Sequence, residues 1–231
     1  VDVTVVLKFN REIAETSAEE FINKIIHGRF GAKAVVLGFN CEFGKDRRGN
    51  ASMVCSFAEE CGFKVFSCEP VKLEGEVISS TAIRKNIAEG NLQKANKMLG
   101  RRVSVLGTVI RGDGRGRELG YPTANLNLHH EIKPPSGVYA TRVFLDNVEY
   151  NAITNIGTRP TFHDTKQDNE SLVEVHIIDF GESIYGMDLE VQFLYKLREE
   201  IKFRDVNELK LQLKRDKISS IERFPKKILT E

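Results

Sequence analysis

The feature that most constrains this chain is a change of hydrophobic period near Gly100. Before it, apolar residues recur at helical spacing or in short unbroken runs. After it, they alternate. Ser17-Ala18-Glu19-Glu20 is a capping-box pattern, followed by Phe21, Ile22, Ile25 and Ile26 on one helical face and then by Gly31. Ala34-Val35-Val36-Leu37 is continuously apolar, as a strand covered on both faces requires. Val3 to Leu7 is a further apolar run, residues 52–61 predict a helix, and Lys64-Val65-Phe66 predicts a strand. Ile78-Ser79-Ser80-Thr81 opens another helix, and Gly90-Asn91 separates it from a last one ending at Leu99. This is a three-layer α/β pattern with parallel strands, which sets a first domain at residues 1–99.

From Val103 onward the pattern is that of strands. Val103, Val105, Gly107 and Val109 alternate with residues of mixed polarity. Two runs, 139–145 and 148–154, flank Asp146-Asn147, a tight hairpin signal. Residues 172–179 and 189–197 are two more strands, and Asp205 caps a C-terminal helix with Val206, Leu209 and Leu213 on one face. About six antiparallel strands and one terminal helix predict a small closed barrel over residues 100–231.

Charge is nearly balanced, 34 basic against 33 acidic residues, which argues against a general nucleic-acid or anionic-membrane binder. No apolar run reaches the roughly 18 residues of a membrane span, and no signal peptide opens the chain. Cys41, Cys55, Cys61 and Cys68 form no C-x-x-C pair, so reduced thiols and a cytoplasmic location are expected. His129-His130 lies in a polar stretch and reads as solvated surface. The chain opens on Val1, already within an apolar run, so upstream sequence is expected.

The densest chemistry lies between Gly112 and Leu126. Gly112, Gly114, Gly116 and Gly120, interleaved with Arg115 and Arg117, offer backbone N–H groups and positive charge to a phosphate chain. On glycine spacing alone a basic surface loop is the commoner outcome. Here the run enters Pro122-Thr123-Ala124-Asn125. The proline fixes φ, and an extended continuation puts Thr123 and Asn125 on one side, two neutral oxygens suited to a hard cation such as Mg²⁺. No lysine completes a Walker loop, and Arg117 stands where a dinucleotide fingerprint needs its third glycine. Phosphate cradle and metal platform together predict an ATP site.

This joint pattern closely resembles the ATP/Mg²⁺ signature of the riboflavin kinases, in particular the C-terminal half of the bacterial bifunctional riboflavin kinase/FAD synthetases. The resemblance continues through Gly137-Val138-Tyr139, Asn155-Ile156-Gly157-Thr158-Arg159-Pro160-Thr161-Phe162, Val173-Glu174-Val175-His176, Asp179-Phe180, Tyr185-Gly186 and residues 197–203. It implies a six-stranded barrel that transfers the ATP γ-phosphoryl group to the ribityl 5′-hydroxyl of riboflavin, releasing FMN and ADP. By motif position Glu174 is the base, on a strand and facing the same way as His176. Arg198 reads equally as part of a loop closing over the flavin and as a surface charge beside Glu199 and Glu200.

Residues 1–99 resemble the later part of the family's Rossmann-like FMN adenylyltransferase domain, which makes FAD from FMN and ATP. The matching pieces are residues 36–45, Arg47-Arg48-Gly49, and Ile78-Ser79-Ser80-Thr81-Ala82-Ile83-Arg84. Ser79, Ser80, Thr81 and Arg84 gather hydroxyls, N–H groups, the helix dipole and a cation around one anion, which predicts triphosphate binding; ordinary N-capping accounts for any single hydroxyl. Asn40 is expected to face flavin or nucleotide. The family's His-x-Gly-His segment occurs nowhere in the 231 residues, so this domain is expected to be incomplete at its start and inactive in adenylyl transfer as it stands. Two other readings remain: a kinase with a structural or regulatory first domain, and a non-catalytic flavin-binding barrel. Protein partners are not indicated.

Overall fold

The computed structural model describes residues 2–112, 114–129, 132–158 and 171–224, with the side chains of Arg115, Thr158, Ser171 and Arg223 left aside. The expectations for His130 and for Arg159-Pro160-Thr161-Phe162 lie outside these residues. The chain divides into two compact units, Val1–Val77 and Ile78–Glu231.

In the first unit, α1 (Arg11–Glu15) leads to α2 (Ala18–Glu20), which runs on into a π-helical stretch, Phe21–Arg29. The capping box forms: Ser17 Oγ accepts from the Glu20 N–H at 3.1 Å, and Glu20 Oε2 from the Ser17 N–H at 3.5 Å. β1 (Ala34–Gly38) and β2 (Lys64–Cys68) pair in parallel across α3 (Ala51–Cys61). Asn50 caps α3 by accepting from the Met53 N–H at 3.0 Å, and Gly62 ends it in the left-handed region. β3 (Lys72–Leu73) and β4 (Glu76–Val77) make a short hairpin. Ile22, Leu37, Val54 and Phe63 form the core.

The parallel α/β pattern is therefore present, with two departures. Residues 2–10 form no strand, because no neighbouring strand pairs with them, and Val3, Val6 and Phe9 lie exposed. Nor is β1 covered on both faces: Val36 is 65% exposed and its register partner Phe66 is 53% exposed. Among the described residues the expected third layer is missing.

The second unit begins with α4 (Ser80–Ala88) and α5 (Leu92–Leu99). Six strands follow: β5 (Ser104–Ile110), β6 (Ala124–Leu128), β7 (Gly137–Leu145), β8 (Val148–Thr158), β9 (Ser171–Ile177) and β10 (Asp188–Arg198). They close into a barrel in the order β10-β5-β6-β9-β8-β7. A helical turn, α6 (Arg115–Glu118), lies between β5 and β6, and α7 (Val206–Arg223) follows β10. Asp146 and Asn147 have φ of 47° and 65°, the pair of left-handed residues that a two-residue hairpin of matching twist demands. Val105, Val109, Leu126, Tyr139, Ile156, Val173, Val175, Leu189 and Phe193 fill the interior.

Ile87, Leu92 and Ala95 belong to this same core, and Asn96 Oδ1 accepts from the Val103 N–H at 2.7 Å. The period changes at Gly100, whereas compactness groups the two preceding helices with the barrel. Asp205 caps α7 by accepting from the N–H groups of Asn207 and Glu208 at 2.7 and 2.9 Å. Beyond the helix, Phe224 packs with Ala140 and Leu194 on the outer barrel wall. No described helix is long and apolar enough to cross a membrane.

Candidate active site

The glycines of the basic loop divide into two kinds. Gly114 and Gly120 have φ of 74° and 82°, where a side chain would be strained. Gly112 and Gly116 serve close approach instead. A Cβ on Gly112 would lie 2.6 Å from Asn125 Cγ, and one on Gly116 would lie 3.2 Å from Thr123 Oγ1. The loop is thus folded directly onto the Thr123–Asn125 segment. The N–H groups of Arg117, Leu119, Gly120 and Tyr121 bond to carbonyls within the loop. One helical turn forms within the loop at Arg115–Glu118, with Gly114 as its cap.

Strand register builds the rest. Val173 and Val175 point into the barrel, so Glu174 and His176 point out. Glu174 is the register partner of Asn125 on one side and of Asn155 on the other. Asn155 in turn faces Val138, and Val138 faces Arg198. Directly opposed residues share a face, with Cβ atoms about 4.5–5.5 Å apart. A row of one carboxylate between two amides therefore crosses the outer wall, ending at an arginine.

Two cavities of similar size, about 150 and 180 Å³, meet at Thr123, which lines both. The first is floored by Val109, Val175 and Ile177 and walled by Phe180, Ile184 and Tyr185, with Arg117 and Pro122 at its edge. The second lies under α7 and contains Asn155, Glu174, His176, Arg198, Leu209 and Leu213 among its lining residues. The first cavity thus carries Arg117 and Glu182 among apolar walls, and the second, at least as apolar, holds the Glu174 carboxylate.

His176 Nδ1–H donates to the Pro122 carbonyl oxygen at 2.9 Å, and its ring meets Tyr121 edge-on at 5.4 Å. Burial lowers its pKa below the ordinary value of 6.5, outweighing the raising effect of the Pro122 bond, so the ring is neutral at neutral pH. Arg198 is neither a loop residue nor a free surface charge. It ends β10, with Nε bonded to both oxygens of Asp216 at 3.1 Å, Nη2 to Oδ2 at 2.8 Å, and Nη1 to the Glu199 carbonyl at 3.0 Å.

Asn40 lies exposed in the turn after β1, in the first unit. Ser79 is the N-cap of α4, accepting from the Ala82 N–H at 3.2 Å, so its oxygen performs the ordinary capping role. Ser80, Thr81 and Arg84 lie exposed on the first turns of that helix, in the second unit.

Asn155 and Asp216 carry geometry that the sequence reading did not assign. Asn155 was visible only as part of a motif, since its place beside Glu174 depends on the β8–β9 register. Asp216 sits in the middle of a polar helix sequence, and nothing local marks it as buried.

Residues 99–224 match the riboflavin kinase family model, and residues 1–82 match that of FAD synthetase. The bifunctional riboflavin kinase/FMN adenylyltransferase of Haemophilus influenzae is 40% identical over 217 residues, covering 94% of this chain and 69% of that protein. The protein of the same description from Escherichia coli K12 is 34% identical over 225 residues, covering 97% and 71%. A crystal structure from Streptococcus pneumoniae, described as a macrolide-efflux protein, has a TM-score of 0.79 at 35% identity, covering 94% of this chain and 68% of that one.

Proposed function

The chain belongs to the family of bifunctional riboflavin kinase/FMN adenylyltransferases, enzymes of FMN and FAD formation, and from that premise we propose how its own residues carry the kinase reaction. ATP occupies the first cavity, with its base among Val109, Ile177, Phe180, Ile184 and Tyr185 and its phosphates turned toward Arg117. N–H groups at the Gly112–Gly116 end of the loop face the phosphate chain, and Arg115 and Arg117 balance its charge. Riboflavin occupies the cavity under α7, with its 5′-hydroxyl at Glu174. The observation that carries this reading is the meeting of the two cavities at Thr123, beside Glu174 and Asn125.

Glu174 takes the proton of the 5′-hydroxyl as its oxygen attacks the γ-phosphorus. The bond from that phosphorus to the β–γ bridging oxygen breaks, and ADP leaves. Phosphoryl transfer depends chiefly on positioning and charge stabilisation, so one base suffices. The described residues contain no cluster of three His, Cys, Asp or Glu side chains suited to a metal ion. Thr123 and Asn125 nevertheless fit Mg²⁺: a hydroxyl and an amide two residues apart leave most of an octahedral shell to phosphate oxygens and water. Bound there, the ion would neutralise charge that develops on the phosphate oxygens.

In the other activity, Ser80, Thr81 and Arg84 hold a triphosphate and Asn40 faces flavin or nucleotide. Boundaries at residues 1–99 and 100–231 divide the two functions. A polypeptide of these residues lacks a His-x-Gly-His segment to stabilise charge at the α-phosphate. Incubating it with riboflavin, ATP and Mg²⁺ and separating the flavins yields FMN with little or no FAD. Absence of Mg²⁺-dependent FMN refutes the kinase assignment, and abundant FAD refutes the role given to the missing histidines.

A further inference from the structure

We propose that Asp216 is a positioning residue for the acceptor flavin: clasped by Arg198, it holds α7 in place as one wall of the cavity containing Glu174. The inference rests on the kinase reading and adds a part that the family motifs do not name.

The way α7 is attached points to this role. A surface helix is ordinarily held by an apolar stripe. In α7, Val206 is exposed, and Leu209 and Leu213 line the cavity rather than the core. The helix residues described as buried are Asp216 and Ser220, both polar. Ser220 Oγ donates to the Lys217 carbonyl within the helix, so of these two buried groups Asp216 is the one that reaches the barrel; Lys217 Nζ adds a more exposed contact, 2.9 Å from Asp179 Oδ1.

Asp216 is 4% exposed, and its carboxylate accepts from Arg198 Nε and Nη2 in a two-pronged contact and from Gln212 Nε2 at 2.8 Å. Removing one member of such a pair leaves the other charge buried and unpaired. Arg198 also lies over the Phe203 ring at 5.8 Å, which ties the connection between β10 and α7 to the same point. With its guanidinium engaged in this way, Arg198 shapes the cavity through Asp216 and leaves the flavin to Leu209, Leu213, Asn155 and Glu174.

The test uses the chain with riboflavin, ATP and Mg²⁺, together with riboflavin fluorescence titrations without ATP. Asp216→Asn is expected to raise both KM and Kd for riboflavin about tenfold, with kcat and the KM for ATP within about twofold. The double variant Arg198→Met/Asp216→Leu is expected to return riboflavin KM to within about threefold of the parent, because an apolar pair of similar volume can replace a buried ion pair. Unchanged riboflavin KM in Asp216→Asn, alongside normal turnover of the parent, overturns this inference alone. A double variant as impaired as the single one, yet normal toward ATP, also overturns it by placing Arg198 on the flavin. If Asp216→Asn does not fold, the double variant still decides. A parent chain that makes no FMN overturns the kinase reading and this inference with it.

Discussion

In the barrel, Asn125, Asn155, Glu174 and Arg198 come from four different strands and fall in one row. Six strands closing on themselves leave no freedom in that alignment, because each register fixes the next. The first unit holds Asn40 on a turn beyond a two-stranded parallel sheet, with Val36 and Phe66 exposed on one face. Parallel sheets are normally buried on both faces. The comparison teaches that register can gather motifs distant in sequence: the kinase motifs share one closed scaffold, whereas Asn40 depends on a single two-stranded pairing.

If Asn125, Glu174 and Asn155 of this row are the kinase machinery, Glu174 at their centre is the most sensitive point. Glu174→Gln removes the base at constant shape, and kcat should fall about a hundredfold to ten-thousandfold while riboflavin and ATP still bind. A loss below roughly fivefold would reassign Glu174 to substrate orientation. Next comes its register partner. Asn125→Leu, similar in volume but without the oxygen, should lower kcat about a hundredfold to a thousandfold in a folded barrel. Near-normal FMN formation by this variant at limiting Mg²⁺ would remove Asn125 from the metal platform.

A smaller effect tests the fold of the loop onto that platform. In Gly112→Ala the new methyl meets the Asn125 amide, so melting should show about 1–3 kcal/mol of destabilisation. The KM for ATP should rise in the same variant. A fully stable Gly112→Ala protein with ordinary ATP affinity would mean that the loop does not need its close approach.

The smallest effect is electrostatic. Burial lowers the His176 pKa below its ordinary 6.5, so the unfolded chain takes up this proton at a higher pH than the folded one. The stabilisation is therefore fully present above pH 6.5 and is lost as pH falls through the lowered folded value. His176→Gln should flatten this acid-side decline of Tm; an unchanged slope would show that other groups account for it.

Local physics made much of the fold legible. The Asp146-Asn147 hairpin, the Ser17 capping box and the Asp205 cap each depend on a few neighbouring residues, and each forms as expected. Thr123, Asn125 and Glu174 were visible through motifs, and the register brings Asn125 and Glu174 side by side. Asn155 escaped assignment because its position follows from pairing partners distant in sequence. Asp216 escaped because its burial depends on an arginine 18 residues away. The apolar run at Val3–Leu7 forms no strand, because an apolar run becomes one only where a neighbouring strand supplies hydrogen bonds.

The most direct test of the shared-site account is a crystal structure of the chain with riboflavin and a non-hydrolysable ATP analogue. The account predicts the nucleotide base in the cavity of Phe180 and Ile184, the flavin under α7, and the γ-phosphate at Thr123. The ribityl 5′-oxygen should lie about 3 Å from the Glu174 carboxylate. A flavin bound elsewhere, or a 5′-hydroxyl turned away from Glu174 with both ligands in place, would contradict it.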